Sequence, residues 1–426
     1  MGLKIAVASF GEPLTFCHQL AWRLAQAVAW LCGGRRATPM PEIPSVGPAV
    51  VIVPHLSFFD ALFLHALLPR PSRFFAAAFF VTKSAPLSWL FYLGGVIPVE
   101  RHRPDAIAVR RALRLLARGE VLTFFPEGGR SWTGVPSLPM PPAAKLLLGL
   151  KVPIYVTTVD GSYDYWPRFD SVPRPRRVRV RIAGALALSP ARPASGQRGG
   201  VTARRWWSGV YAPGRRADLP RAAAEIRARF AAAAAGEPGR LRLEIPARLG
   251  ALARVLCFCP ECAAAGLATR GRSLVCPSCG TALRAAGAGR LRRFPSGGAP
   301  EAEQSLHGFF LRMVSRVEAR VGSGFCLEEP VEAGEVPRGA AAPGAIPFIP
   351  ASARLDGDGL HVVAGAREVR LPLSVVAAST MMGSETLEVW SQGSGTVLYL
   401  RARGGALRIL LAARALLHLP IEAMSP

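Results

Sequence analysis

Four short apolar runs, Ala49 to Val53, Val96 to Val99, Val121 to Phe125 and Val152 to Thr158, alternate with segments of helical pattern, and this alternation constrains the fold more than any other feature. Each run reads as a strand. The clearest helix is 105–118 (DAIAVRRALRLLAR), where Ile107, Leu113 and Leu116 share an apolar face and Asp105 stands where a helix start favours negative charge. The expected fold class is therefore α/β, a mixed, largely parallel sheet with flanking helices. VRVRI at 178–182 has the period-two pattern of a further strand with one charged face.

Five regions follow from composition and pattern: an amphipathic helix region over 1–35, the α/β domain over 36–235, a compact cysteine-bearing segment over 255–285, a helix and linker over 301–322, and a β-rich domain over 350–420. Gly, Ala and Arg mark 286–300, and Pro, Gly and Ala 328–350, as linkers. In the last region short strands alternate with Gly-bearing turns before a terminal helix, a pattern that resembles the pleckstrin-homology-like fold. Phe16, Leu20, Leu24, Val28 and Leu31 form one helical stripe that polar residues keep short of a membrane span, so it either lies on a bilayer or packs on the domain core. The N-terminal residues carry one Lys and no long apolar run before Glu12-Pro13, so no cleavable signal peptide is expected.

A length of 426 residues with 50% hydrophobic side chains excludes a collagen, a disordered chain and a small stapled scaffold. The net charge of +24 and a mean hydropathy of +0.26 direct attention to anionic partners, either nucleic acid or a membrane face. Only four of the 52 basic residues are Lys, which ties much of the Arg excess to GC-rich coding. Twelve Arg against one acid, Asp170, nevertheless concentrate charge in 168–216, with Trp206 and Trp207 either an interfacial anchor or core.

VPHLSFFDALFL (53–64) places His55 and Asp60 across a strand-to-helix turn, where a carboxylate can fix an imidazole tautomer and raise its basicity toward a hydroxyl. His65 reads as a packed helix residue. Further on, LTFFPEGGRSWTG (122–134) leaves a strand through Pro126 and sets Glu127, Gly128, Gly129, Arg130 and Ser131 in one turn suited to an anionic group. With GGVIPVER (94–101) and KVPIYVT (151–157) in order, these motifs resemble the glycerolipid acyltransferase family, to which lysophosphatidic acid acyltransferases belong. The resemblance covers about 36–182 and departs from the family pattern at Pro98, Gly129, Val156 and LPMPPAAKL (138–146).

That resemblance implies one-step acyl transfer at a membrane surface. His55 would be the general base and Asp60 its orienting partner, while Arg101, Glu127 and Arg130 would hold the acceptor phosphate, with Gly128 and Gly129 leaving room for it. The implied donor is acyl-CoA or acyl carrier protein. The implied acceptor is a lysophospholipid, foremost 1-acyl-glycerol-3-phosphate giving phosphatidate, with another lysolipid or an amino-acid-derived lipid as the alternative. Such an enzyme is expected to be cytoplasmic and peripheral on the anionic inner face of the membrane.

CPEC-x13-CPSC supplies Cys259, Cys262, Cys276 and Cys279 at the spacing of two knuckles that close a tetrahedral thiolate site, so a structural Zn²⁺ ion in a zinc ribbon, remote from catalysis, is expected. Cys257 is an alternative ligand, although Cys257-x-Cys259 lacks the knuckle spacing. A nucleic-acid-binding or lipid-binding scaffold protein is the reading of another class, and the His55, Asp60 and FPEGGRS residues weigh against nucleic acid because a binder needs no base.

Overall fold

The structure is a computed structural model that describes residues 15–36, 43–81, 85–99, 105–137, 139–170, 172–174, 177–186, 216–234, 246–287, 289–321, 326–337, 347–372, 376–380, 386–391, 396–402 and 405–417. Its first part follows the order α1 (Thr15–Leu31), β1 (Gly34–Arg36), β2 (Ala49–Ile52), α2 (Asp60–Leu67), β3 (Ser72–Ala77), α3 (Ala78–Val81), α4 (Ala85–Leu93), β4 (Val96–Val99), α5 (Ala106–Ala117), β5 (Val121–Phe124), α6 (Pro141–Gly149), β6 (Ile154–Asp160), α7 (Ser162–Tyr165), β7 (Val178–Leu186) and α8 (Leu219–Ala234). The sheet order is β1-β7-β6-β2-β5-β3-β4. Strands β6, β2, β5, β3 and β4 run parallel, β7 is antiparallel to β6, and β1 is parallel to β7. The mixed, largely parallel sheet is thus present.

β2 lies inside this sheet and is buried throughout, as a strand covered on both faces must be. Its alternation divides two cores. Val50 and Ile52 face Leu113, Leu116, Ile226 and Phe230, whereas Ala49, Val51 and Val53 face Phe63, Leu64 and Val180. Asp105 caps α5 by accepting from the Ile107 and Ala108 N–H groups. Pro98 sits on β4, the last strand in the sheet order, the kind of position where a missing N–H is tolerated.

The stripe on α1 points away from this core. Phe16, Leu20, Leu24, Val28 and Leu31 are 74%, 51%, 61%, 45% and 76% exposed, while His18, Trp22 and Ala29 are buried, with the Trp22 indole N–H on the His65 carbonyl at 2.8 Å. Trp89 and Leu90 on α4 are exposed as well. Among the described residues no helix is long and apolar enough to cross a membrane.

The remainder begins with α9 (Pro246–Leu252) and an antiparallel sheet of β8 (Ala268–Arg270), β9 (Ser273–Val275), β10 (Ala282–Ala285), β11 (Arg290–Phe294) and β12 (Gln304–Ser305), in the order β12-β11-β10-β9-β8. After α10 (Leu306–Val321) come β13 (Leu327–Pro337), β14 (Ile349–Leu355), β15 (Gly359–Ala364), β16 (Arg367–Pro372), β17 (Val376–Thr380), β18 (Thr386–Ser391), β19 (Thr396–Arg401) and α11 (Ala406–Leu416). These seven strands form one antiparallel sheet of order β16-β15-β14-β13-β19-β18-β17.

Two expected linkers are corrected here. The 286–300 segment contains β11, which pairs with β10 and β12, and the 328–350 segment contains β13, an inner strand of the last sheet. In β13 the buried Leu327, Glu329, Val331 and Ala333 alternate with exposed Glu328, Pro330 and Glu332, a period-two pattern obscured by its Pro and Gly content. Glu329 is buried because both its oxygens take the Arg408 guanidinium of α11, at 2.5 and 2.7 Å.

Candidate active site

The chain leaves β2 through Val53 and Pro54 and turns into α2 over 55–59, and this turn is built around the Asp60 carboxylate. Asp60 is fully buried, and its Oδ2 accepts the Leu56 N–H at 2.6 Å, the Ser57 N–H at 2.7 Å and His55 Nδ1 at 3.0 Å. Its Oδ1 accepts the Ser162 hydroxyl from the start of α7. With Nδ1 held as the donor, Nε2 is the His55 nitrogen that can take a proton. The ring lies against Phe125, 4.3 Å between centroids.

Burial lowers the His55 pKa from its ordinary 6.5; Asp60 opposes this, while Arg130 and Arg168 reinforce it. The imidazole is therefore neutral near pH 7, the form a general base requires.

Glu127, Gly128, Gly129 and Arg130 follow β5 and stand beside this pair. Glu127 was expected to touch an acceptor phosphate, but its carboxylate is buried and accepts the His55 N–H at 2.9 Å and the Ser137 N–H at 2.8 Å. It ties two loops together. Burial pushes its carboxyl up to about 8 despite those two donors. Gly128 adopts a positive φ of 70°, and a Cβ there would meet the Met140 sulfur at 2.5 Å, so the glycine fits the turn to Met140 of 138–146. Gly129 is half-buried next to it.

Arg130 is the cation this turn presents. Its guanidinium lies 5.8 Å from the Phe58 ring centre and, among the described residues, meets no carboxylate. Burial lowers its pKa to about 10, so it stays charged at neutral pH. Its backbone is fixed on both sides, the Arg130 carbonyl by Arg168 Nη1 at 2.7 Å and the Ser131 N–H by the His55 carbonyl at 2.7 Å. Arg101, and the Arg204, Arg205, Trp206 and Trp207 cluster, lie outside the described residues. His65 is packed as expected, against Phe74 and His18.

The structure thus gathers His55, Asp60, Glu127 and Arg130 and adds positions the motifs do not mark: Ser162 on Asp60, Ser137 on Glu127, and Arg168 on the Arg130 carbonyl. None has a local sequence signature. Each lies beyond its motif and meets it only through the fold.

Cys259, Cys262, Cys276 and Cys279 form a second centre, their sulfurs all within 4.8 Å of one another. The Cys259–Cys279 and Cys262–Cys276 pairs are each 3.7 Å apart, against about 3.8 Å for the edge of a tetrahedron with metal–sulfur bonds of about 2.3 Å. The donor set fits a metal ion. Cys257 is buried outside this set, its thiol pushed up to about 12 by desolvation.

Residues 37–159 match the family model described as Acyltransferase. Among solved structures, the 1-acyl-sn-glycerophosphate (LPA) acyltransferase PlsC from Thermotoga maritima aligns over 49% of this chain and 79% of its own, at 16% identity and a TM-score of 0.34. A Streptomyces coelicolor structure concerned with SsgB mutations that correlate to longitudinal cell division during sporulation aligns over 24% and 94%, at 13% identity and a TM-score of 0.16. At such scores neither likeness carries weight. No curated protein matches the chain. The match to the Acyltransferase family model spans the turn that joins His55 to Asp60 and the loop that presents Arg130.

Proposed function

We propose that the protein is a membrane-surface O-acyltransferase that moves an acyl chain from acyl-CoA or acyl carrier protein to the hydroxyl of a lysophospholipid, foremost 1-acyl-glycerol-3-phosphate. The observation that carries this reading is His55 Nδ1 at 3.0 Å from the buried Asp60 carboxylate, with a charged Arg130 beside it that, among the described residues, forms no ion pair with a carboxylate. His55 Nε2 takes the acceptor hydroxyl proton as the oxygen attacks the thioester carbonyl. The C–S bond breaks, and the proton passes to the departing thiolate. Asp60 holds the ring, and Arg130 binds the acceptor phosphate. Arg101 is assigned to the same phosphate on the family resemblance alone.

The exposed stripe of α1, together with the exposed Trp89 and Leu90 of α4, supports attachment to one bilayer leaflet without a span. A soluble donor and a lipid acceptor then place the protein on the inner, cytoplasmic face. The four cysteines are assigned a Zn²⁺ ion, because four thiolates fill a tetrahedral zinc site and leave no open position for chemistry. The seven-stranded sheet with its closing helix supports the pleckstrin-homology-like reading of the C-terminal part.

The test is transfer of a labelled acyl group from each donor type to a panel of lysolipids by purified full-length protein on vesicles. Phosphatidate formation that falls by about 10²-fold or more in His55→Ala supports the reading. Turnover within a few-fold of wild type in that variant, or transfer only to acceptors lacking phosphate, overturns the mechanism or the acceptor respectively.

A further inference from the structure

The cysteine module was expected to stand apart from catalysis, yet it shares its core with the loop that presents Arg130. Trp132, two residues beyond Arg130, is buried in one contiguous apolar cluster with Phe169, with Leu256, Phe258 and Cys276 of the module, and with Phe309 and Met313 of α10. Polar contacts follow the same seam. Thr133 Oγ1 lies 2.9 Å from His307 Nδ1, in the first turn of α10, and Arg254 Nη1 donates to the Phe169 carbonyl at 3.4 Å.

From Trp132 the contacts lead directly to Arg130. The Arg168 guanidinium stacks 3.9 Å over the Trp132 ring and donates to the Arg130 carbonyl, and Tyr163 donates its hydroxyl to the Trp132 carbonyl at 2.8 Å. At the other end α10 is tied to the metal-site knuckle itself. Glu261, between Cys259 and Cys262, pairs with Arg293 at 2.5 Å and with Arg316 of α10 at 3.4 Å, and Glu301 pairs with Arg312 of α10 at 3.1 Å.

The described residues of the loop between β5 and α6 contain no helix or strand, so their order depends on what they pack against. One side rests on His55, through the Ser131 N–H; the other rests on the cysteine module, whose fold would depend on a bound metal. We propose that the cysteine module is a positioning device for the acceptor site. Trp132, Thr133 and His307 act as positioning residues, and metal occupancy is coupled to acceptor binding through the placement of Arg130. This rests on the reading of Arg130 as the acceptor's phosphate contact. Coupling is reciprocal, so a bound acceptor must in turn tighten the metal.

The experiment compares full-length wild type with Cys276→Ser, which removes a metal ligand, and with His307→Leu and Thr133→Val, which leave all four cysteines in place. Amide hydrogen exchange over 126–137, metal content, and acceptor KM and kcat on vesicles are measured. Exchange across 128–134 is expected to accelerate about tenfold in all three variants, within the usual range of site coupling. Acceptor KM should rise about tenfold with kcat within about twofold, and His307→Leu and Thr133→Val should keep their metal. Wild-type exchange rates in Cys276→Ser or His307→Leu overturn the inference even if no acyl transfer is ever detected. So does a fall in kcat at unchanged KM, the mark of general damage at His55. Absence of transfer by the wild type instead removes the acyltransferase reading and leaves the exchange result to decide the coupling.

Discussion

At the His55 imidazole, burial and the positive charge of Arg130 and Arg168 outweigh the pull of Asp60, which sets the sign of its pH dependence. A base works only when deprotonated, so acyl transfer should hold level above pH 6.5 and fall only below it. Removing a cation makes imidazolium less costly, so Arg130→Gln should move that acid limb upward while raising acceptor KM; pH profiles of kcat and of kcat/KM check the two. Ser162→Ala leaves the Asp60 carboxylate short of a donor and should slow kcat by about tenfold, the equivalent of about 1.4 kcal/mol. Glu127 titrates the other way. Between its ordinary 4.5 and its folded value of about 8 the native protein keeps a proton that the unfolded chain has released, so stability should fall as pH rises through that window. Urea midpoints against pH would show this slope, and Glu127→Gln should flatten it. His55 and Asp60 were legible because they sit in one short motif, whereas Ser162 meets Asp60 from 102 residues away and its type is ordinary after any strand.

Among the elements, α1 shows what periodicity conveys and what it omits. The spacing of Phe16, Leu20, Leu24, Val28 and Leu31 marks an apolar face, but an apolar face is satisfied equally by a core or by lipid. Only the docking of the opposite side, through Trp22 on the His65 carbonyl, leaves the stripe exposed. Leu20→Gln with Leu24→Gln should thus weaken partition to neutral vesicles by at least about tenfold, since each buried leucine contributes about 1.5–3 kcal/mol, and leave the unfolding midpoint almost unchanged. Trp22→Ala, on the buried side, should instead cost about 3–5 kcal/mol of stability in denaturant unfolding. A vesicle titration at low and high salt separates this apolar attachment from an electrostatic one, which salt would weaken. Strands β11 and β13 were hidden for another reason: RLRRF is too basic, and β13 too rich in Pro and Gly, to read as paired strands until their neighbours are known.

Over the whole molecule, the order of parts along the chain was legible but the contacts between them were not. Cysteine spacing announces a cluster that could hold a metal; nothing local to Trp132 announces that it belongs to the same core. Metal analysis of the full chain should find about one zinc ion, and Cys276→Ser should lose it together with slow exchange in β9 and β10. The clasp between α1 and α2 has a consequence of a different kind. Trp22 grips the helix that opens with Asp60, so the surface that would sink among acyl tails and the turn that would do the chemistry are parts of one rigid corner. An acceptor could then arrive by drifting sideways within its leaflet, without entering water. The quantity that governs turnover would be the number of acceptor molecules per unit of membrane area: diluting the lysolipid with inert lipid at constant total amount should slow the reaction, and diluting the vesicles in buffer, once the protein is bound, should not.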